Sequence, residues 1–191
     1  MSAGRGLVFV ISGPSGVGKD ALIEKLVALD PNLERSVSYT TRRPRPAEKD
    51  GVHYTFVSRE EFQQLVDAGE MLEHATYGGN LYGTSARRVE ELRSSGSDVI
   101  LKIDVKGAEQ VRRQLPDATF IFLAPPSMQE LIRRTALRQT ESAEERSARQ
   151  MIAETEMTFA PHYDHVVVND DLDKAVADVH AIIQKVRERH T

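Results

Sequence analysis

GPSGVGKDALIEKL, residues 13–26, follows the apolar run LVFVIS (Leu7–Ser12) and opens a segment with helical periodicity. Gly13, four residues, Gly18 and Lys19 satisfy G-x-x-x-x-G-K. Such a loop points successive backbone N–H groups at one anion, and the start of the following helix adds partial positive charge. Gly13, Pro14, Ser15, Gly16, Val17, Gly18, Lys19 and Asp20 are therefore the candidate binding residues for a nucleoside triphosphate, with Lys19 reaching the outer phosphates. A glycine-rich turn formed by chance is the plain alternative, and the strand before and helix after argue against it. One residue is out of place. Where a hydroxyl is expected the chain carries Asp20, a carboxylate beside a polyanion site.

Outward from the loop, the chain has the size of one domain with a sizeable core, at 191 residues. Its 40% hydrophobic and 28% charged residues are those of an ordinary soluble globular protein. A formal charge of −4 argues against a general nucleic-acid coat. No cysteine is present, which excludes disulfides and thiolate metal sites. The apolar run before the loop is too short to span a membrane and lacks a signal-cleavage pattern, so a cytoplasmic protein without membrane or nucleic-acid partners is expected. Composition leaves monomer and homodimer both open.

Short β-rich runs alternate with helical patterns, which predicts an α/β fold with a mostly parallel sheet. After LVFVIS, further buried strands are expected at Asp98–Asp104, Thr119–Ala124 and His165–Asn169, each followed by a helix: from Val105, from Met128 and from Leu172. Ser58 with Glu61, and Ser127 with Glu130, both fit the capping box of a helix start. Two segments break the alternation. Residues 36–88 are polar and closer to period two, as in an inserted mixed β subdomain. Residues 138–149, RQTESAEERSAR, lack an apolar face and suggest a flap, with a solvated helix as the plain alternative. The expected organisation is a core of 1–35, 89–137 and 150–191, an insert of 36–88 and a lid of 138–149.

The stretches SVSYTTRRPRPAEKDGVHYTFVSREEF, GNLYGTS, IDVKGAEQV, FLAPPS and VVVNDDLDKA occur in this order, and together they resemble the guanylate kinase family over nearly the whole chain. The resemblance implies a P-loop kinase fold with a GMP-binding subdomain and a helical lid. It also implies transfer of the γ-phosphoryl group of ATP to GMP or dGMP with Mg²⁺. Guanine presents donors at N1 and N2, so its pocket needs a carboxylate, and a pocket left unpaired by the wrong base discriminates strongly. The matching acceptors are Glu73 and Asp104, with Ser38 and Thr84 for O6 and N7. Arg42, Arg45, Tyr54 and Tyr82 match the positions that hold the GMP phosphate, where arginine's planar fork suits the ligand. Arg43 fits a surface role and Tyr39 a packing role. Lys19, Arg45, Arg134, Arg138 and Arg149 would supply the cations around the transferring group, which carry most of such catalysis. For each lid arginine, one side of a surface ion pair is the plain alternative.

Three residues depart from the family pattern. Asp20 replaces the loop hydroxyl, Lys102 stands where an acid is usual two residues before Asp104, and Gln139 replaces a glycine after the lid arginine. A carboxylate that has moved from the strand end to the loop would make Asp20 a Mg²⁺ ligand; otherwise it is only a helix-start acid. His162 and His165 have no partners in sequence that complete a metal set, and His53 suggests no function. Two other readings compete. A ribose 1,5-bisphosphate phosphokinase shares the fold but has no use for a guanine-reading acid. A non-catalytic guanylate-kinase-like module that binds phosphopeptides would lack the intact ATP loop found here.

Overall fold

The computed structural model describes residues 4–136 and 143–190, and at positions 136, 143–146 and 149 the backbone alone. The chain divides into two compact units. One takes in the chain up to Val8, Asn32–Leu101 and Lys106–Ala118. The other comprises Phe9–Pro31, Lys102–Val105 and the chain from Thr119 onward.

The second unit contains the loop. Strand β1 (Val8–Ser12) is buried at every residue and leads into helix α1 (Lys19–Leu29). Strands are numbered along the chain, so the partner of β1 here is β8 (Thr119–Ala124), in parallel register from Phe9↔Thr119 to Ser12↔Phe122. β8 in turn pairs in parallel with β9 (His165–Val168). A parallel strand covered on both faces needs an unbroken apolar run, and VFVIS and TFIFLA both provide one. β9 differs from the sequence expectation of a buried strand. It stands at the end of the strand order, and Val166 and Val168 are half-exposed while Val167 is buried. Helices α5 (Met128–Ala136), α6 (Ala143–Met157) and α7 (Leu172–Glu188) complete the unit, with a 3₁₀ turn at Ala160–His162. α7 lies along α1, where buried Asp30 accepts from Arg187 at 2.6 Å and lies 3.2 Å from the His180 ring.

The first unit holds β2 (Leu33–Arg35) paired in parallel with β7 (Asp98–Lys102), and a four-stranded mixed sheet. That sheet runs β4-β3-β6-β5, built from β3 (Tyr39–Thr40), β4 (Thr55–Phe56), β5 (Met71–Tyr77) and β6 (Asn80–Ser85). β3 and β4 are parallel and the other pairs antiparallel, as the period-two polar insert predicts. Gly78 and Gly79 turn the β5–β6 hairpin with φ of 54° and 77°, the two positive angles that a tight hairpin matching strand twist requires. Helices α2 (Arg59–Asp67), α3 (Ala86–Ser94) and α4 (Val105–Gln114) flank these strands in the chain.

Of the two expected capping boxes, one forms in full. Ser58 and Glu61 bond reciprocally at the start of α2. At α5, Ser127 accepts from the Glu130 N–H at 3.1 Å, but the Glu130 carboxylate turns to Arg133 and Arg134. Two guanidinium partners, one of them bidentate, outcompete one neutral N–H, because both ends of each bond are charged and the fork makes two parallel bonds. They hold Glu130 down to about 2.

Candidate functional site

The phosphate loop is shaped by backbone collisions as much as by attraction. At Gly13 φ is 145°, and a Cβ there would stand 2.1 Å from the Leu123 carbonyl oxygen. Gly18, with φ 101°, is the N-cap of α1 and offers no side-chain cap, so the first N–H groups of the helix are not taken by a side chain there. Two residues outside the motif fix the loop. Ser12, fully buried, donates its hydroxyl to the Ile103 carbonyl at 3.0 Å. Asn169, at the end of β9, donates to the Val17 carbonyl at 2.7 Å. Neither residue belongs to the G-x-x-x-x-G-K spacing. A lone Asn after VVV is the only hint, a polar group entering a buried place.

Lys19 is half-buried and folds back over the loop, donating to the carbonyls of Gly13 and Pro14. Burial pushes its ammonium down to about 8; the like charge of Lys102 adds to this, while Glu156, Asp20 and Asp104 oppose it. Asp20 lies in the first turn of α1, where the helix dipole favours a carboxylate. It is not alone there: the Lys102 ammonium donates to it at 2.5 Å. The two departures from the family pattern are thus partners of one another. Arg134 of α5 binds Glu130 at 2.8 Å and the Asn169 carbonyl at 2.8 Å, so it is anchored beside the loop clamp. Arg138 and Gln139, the remainder of the lid motif, lie outside the described residues, as does the side chain of Arg149.

In the other unit the predicted guanine residues Glu73 and Thr84 face each other across β5 and β6. Both are buried, 5% and 1% exposed, and the Thr84 hydroxyl donates to Glu73 at 2.7 Å. A buried carboxylate on a strand is costly without donors, so Glu73 is not a solvated strand acid. Its backbone is held on both sides. Gln110 of α4 exchanges bonds with His74, at 3.0 and 3.2 Å, and Gln114 donates to the Leu72 carbonyl at 2.7 Å. These glutamines cover the edge of β5 as a further strand would. Ser38 precedes β3 and its carbonyl accepts from Thr55. Asp104 belongs to the loop's unit, where its carbonyl lies 3.4 Å from the Ser12 hydroxyl.

The predicted phosphate residues gather around Arg42. Its guanidinium lies 5.5 Å from the centre of the Tyr54 ring, and Tyr54 meets Tyr82 edge-on at 6.0 Å. Arg42 also grips both oxygens of Glu48, at 2.8 and 2.9 Å, and the Arg45 N–H donates to the same carboxylate. The Arg42 bond, followed by the Arg45 N–H, holds Glu48 down to about 2. Glu48 went unnoticed in sequence because an acid three beyond Arg45 has no motif. The Arg45 residue is exposed, as is Arg43. Tyr39 is half-buried in β3, and His53 accepts the Lys49 N–H at 3.0 Å, closing a turn. Among the described residues no cluster of three His, Cys, Asp or Glu forms a metal cage, and His162 instead meets Phe159 edge-on.

A parallel strand, a glycine loop and a helix start with a lysine define a P-loop nucleotide-binding protein. The family model described as Guanylate kinase matches residues 5–186, and the chain belongs to that family. It is 46% identical over 183 residues to the guanylate kinase of Desulfitobacterium hafniense (strain Y51), covering 96% of this chain and 92% of that one. To the guanylate kinase of Symbiobacterium thermophilum it is 48% identical, over 97% and 88% of the two chains. The crystal structure of guanylate kinase from Anaplasma phagocytophilum superposes with a TM-score of 0.76 at 35% identity, over 95% and 86%.

Proposed function

We propose that this chain transfers the γ-phosphoryl group of ATP to GMP and dGMP, giving ADP and GDP or dGDP. The observation that supports the reading is the buried Glu73–Thr84 pair, a carboxylate able to accept from the donor edge of guanine, in a chain whose phosphate loop is intact. Adenine puts an acceptor at N1 and would leave Glu73 facing a lone pair. The relatives named above are guanylate kinases over nearly their full length, which favours neither a sugar-phosphate acceptor nor a binding module without ATP.

In this reading the residues divide the work. The backbone N–H groups of Gly13 to Lys19 hold the donor's phosphates and Lys19 neutralises the outer ones. Glu73, Asp104, Ser38 and Thr84 read guanine, and Arg42, Arg45, Tyr54 and Tyr82 hold the acceptor phosphate. Arg134, with Arg138 and Arg149 from the lid at 138–149, screens the transferring group. The division into a core, a subdomain at 36–88 and a lid at 138–149 is part of the same proposal. The acceptor is already an ionised phosphate, so no general base is required, and positioning plus charge stabilisation perform the catalysis.

Mg²⁺ fits this loop. With no acidic cluster among the described residues, an ion there would be held by Asp20 together with phosphate oxygens and water, which is how Mg²⁺ is commonly bound. When bound it would neutralise charge on the phosphates. No helix among the described residues is long and apolar enough to cross a membrane. The proposed enzyme acts on free nucleotides in the cytoplasm. The decisive experiment is a coupled ADP-release assay with GMP, dGMP, AMP, UMP and ribose 1,5-bisphosphate. Turnover confined to GMP and dGMP is expected; equal turnover with AMP or with the sugar phosphate would overturn the assignment.

A further inference from the structure

The ion pair of Asp20 and Lys102 joins positions 82 apart in sequence at the mouth of the phosphate loop. Its two ends are unlike. The Lys102 side chain is 16% exposed and the Asp20 side chain 62% exposed. The stem of Lys102 is thus fixed at the end of β7 while the carboxylate stands in solvent. An exposed acid gains little from a surface ion pair, so neutralising Asp20 is a weak reason to bury most of a lysine. Lys102 is also a second ammonium at a loop that already holds Lys19, close enough that its charge bears on Lys19. Two ammonium groups at one loop repel unless anions stand between them; in the free protein Asp20 pairs with Lys102, and Glu156, Asp20 and Asp104 act on Lys19, so a polyanion is the ligand that can engage both lysines at once. A nucleoside triphosphate is such a polyanion, and the loop's N–H groups converge on its phosphates.

We propose that Lys102 is a phosphate-binding residue for the donor nucleotide, with Asp20 serving as its counter-ion at the loop. The inference rests on the reading of the loop as the ATP site. Arriving phosphate oxygens take up the Lys102 ammonium, and Asp20 is then released to face a metal ion. The loop thereby meets the triphosphate with two lysines, and Lys102 performs for the phosphates part of what a strand-end acid would perform only through a metal.

The test is calorimetric titration of ATP in EDTA, with folding of each variant checked by its thermal melt. Removing Lys102 alone would also leave Asp20 unpaired beside the phosphates, so the informative comparison is Asp20→Asn against Asp20→Asn/Lys102→Met. If Lys102 touches phosphate, the double variant binds metal-free ATP about tenfold or more weakly than the single one. The gap persists at 0.5 M salt, where the screening length is only about 4 Å, and Asp20→Asn/Lys102→Arg recovers most of it. Equal affinities of Asp20→Asn and Asp20→Asn/Lys102→Met, or a gap that vanishes at 0.5 M salt, would overturn the inference and leave Lys102 as a distant charge. Wild-type protein that binds no ATP with or without Mg²⁺ would instead overturn the reading of the loop itself.

Discussion

The phosphate loop and the mixed sheet, which in the proposed reading both hold nucleotide phosphate, are built on different principles. The loop is mainly backbone: Gly13 is forced to be glycine by the Leu123 carbonyl, and the helix start has no side-chain cap. The insert is mainly side chain: Arg42 is already paired with Glu48 and stacked near Tyr54, and Glu73 is already bonded to Thr84. A backbone site is paid for in conformation, while a side-chain site must hold its charges satisfied until a ligand replaces the partners. The first tolerates almost no change at its glycines. The second should tolerate changes of shape but not of charge.

The largest expected effect is at Lys19, the charged side chain of the loop itself. Lys19→Met should lower kcat by about 10²-fold or more, as for loss of one preorganised charge at a transition state. Single-turnover kinetics with saturating ATP and GMP would check it, and a kcat within a fewfold of wild type would mean that backbone alone does the loop's chemistry. Next, Glu73→Gln should cost about 1–3 kcal/mol in kcat/KM for GMP. The amide can still accept from Thr84, so folding should survive while guanine donors lose a charge. Steady-state kinetics with GMP and AMP would show this; an unchanged kcat/KM for GMP would remove Glu73 from the pocket.

Gly13→Ala sharpens the contrast through stability. Strain at that φ should lower the free energy of unfolding by about 1–3 kcal/mol, whereas Ser15→Ala in the same loop should stay within about 0.5 kcal/mol. Denaturant titration of both variants decides it, and equal effects would contradict a loop dictated by backbone. The smallest effect concerns Glu48. Its folded value of about 2 lies below the ordinary 4.5, so its contribution is full above pH 4.5 and is lost as pH falls through about 2. The pair is near the surface and should contribute about 0.2–1 kcal/mol. The difference in Tm between wild type and Glu48→Gln should therefore be positive at pH 7 and close between pH 5 and pH 2. A gap that stays constant would mean that Glu48 acts by shape rather than charge.

Local pattern carried much of this molecule. Apolar runs marked β1, β7, β8 and β9, though not the short parallel strand β2; the glycine spacing marked the loop, Ser58 with Glu61 marked a helix start, and the insert's polar alternation marked the mixed sheet. Each of these signals is contained within a few residues, so backbone sterics and burial express it directly in sequence. The Ser127–Glu130 box shows the limit, because the arginines that captured Glu130 lie only three and four residues on, and only the fold decided between them and the N–H.

What only the tertiary structure decided is which polar groups meet. Asn169 clamps Val17 across 152 positions, Gln114 reaches Leu72 across 42, and Lys102 reaches Asp20 across 82. Nothing local in a sequence encodes such pairings, since a hydrogen bond depends on two ends brought to within about 3 Å and right angles. The sequence determined that this chain has a phosphate loop, an acid at position 73 proposed to read guanine, and two charges out of pattern. The fold determined that those two charges belong to one another, because it brings the end of β7 against the start of α1.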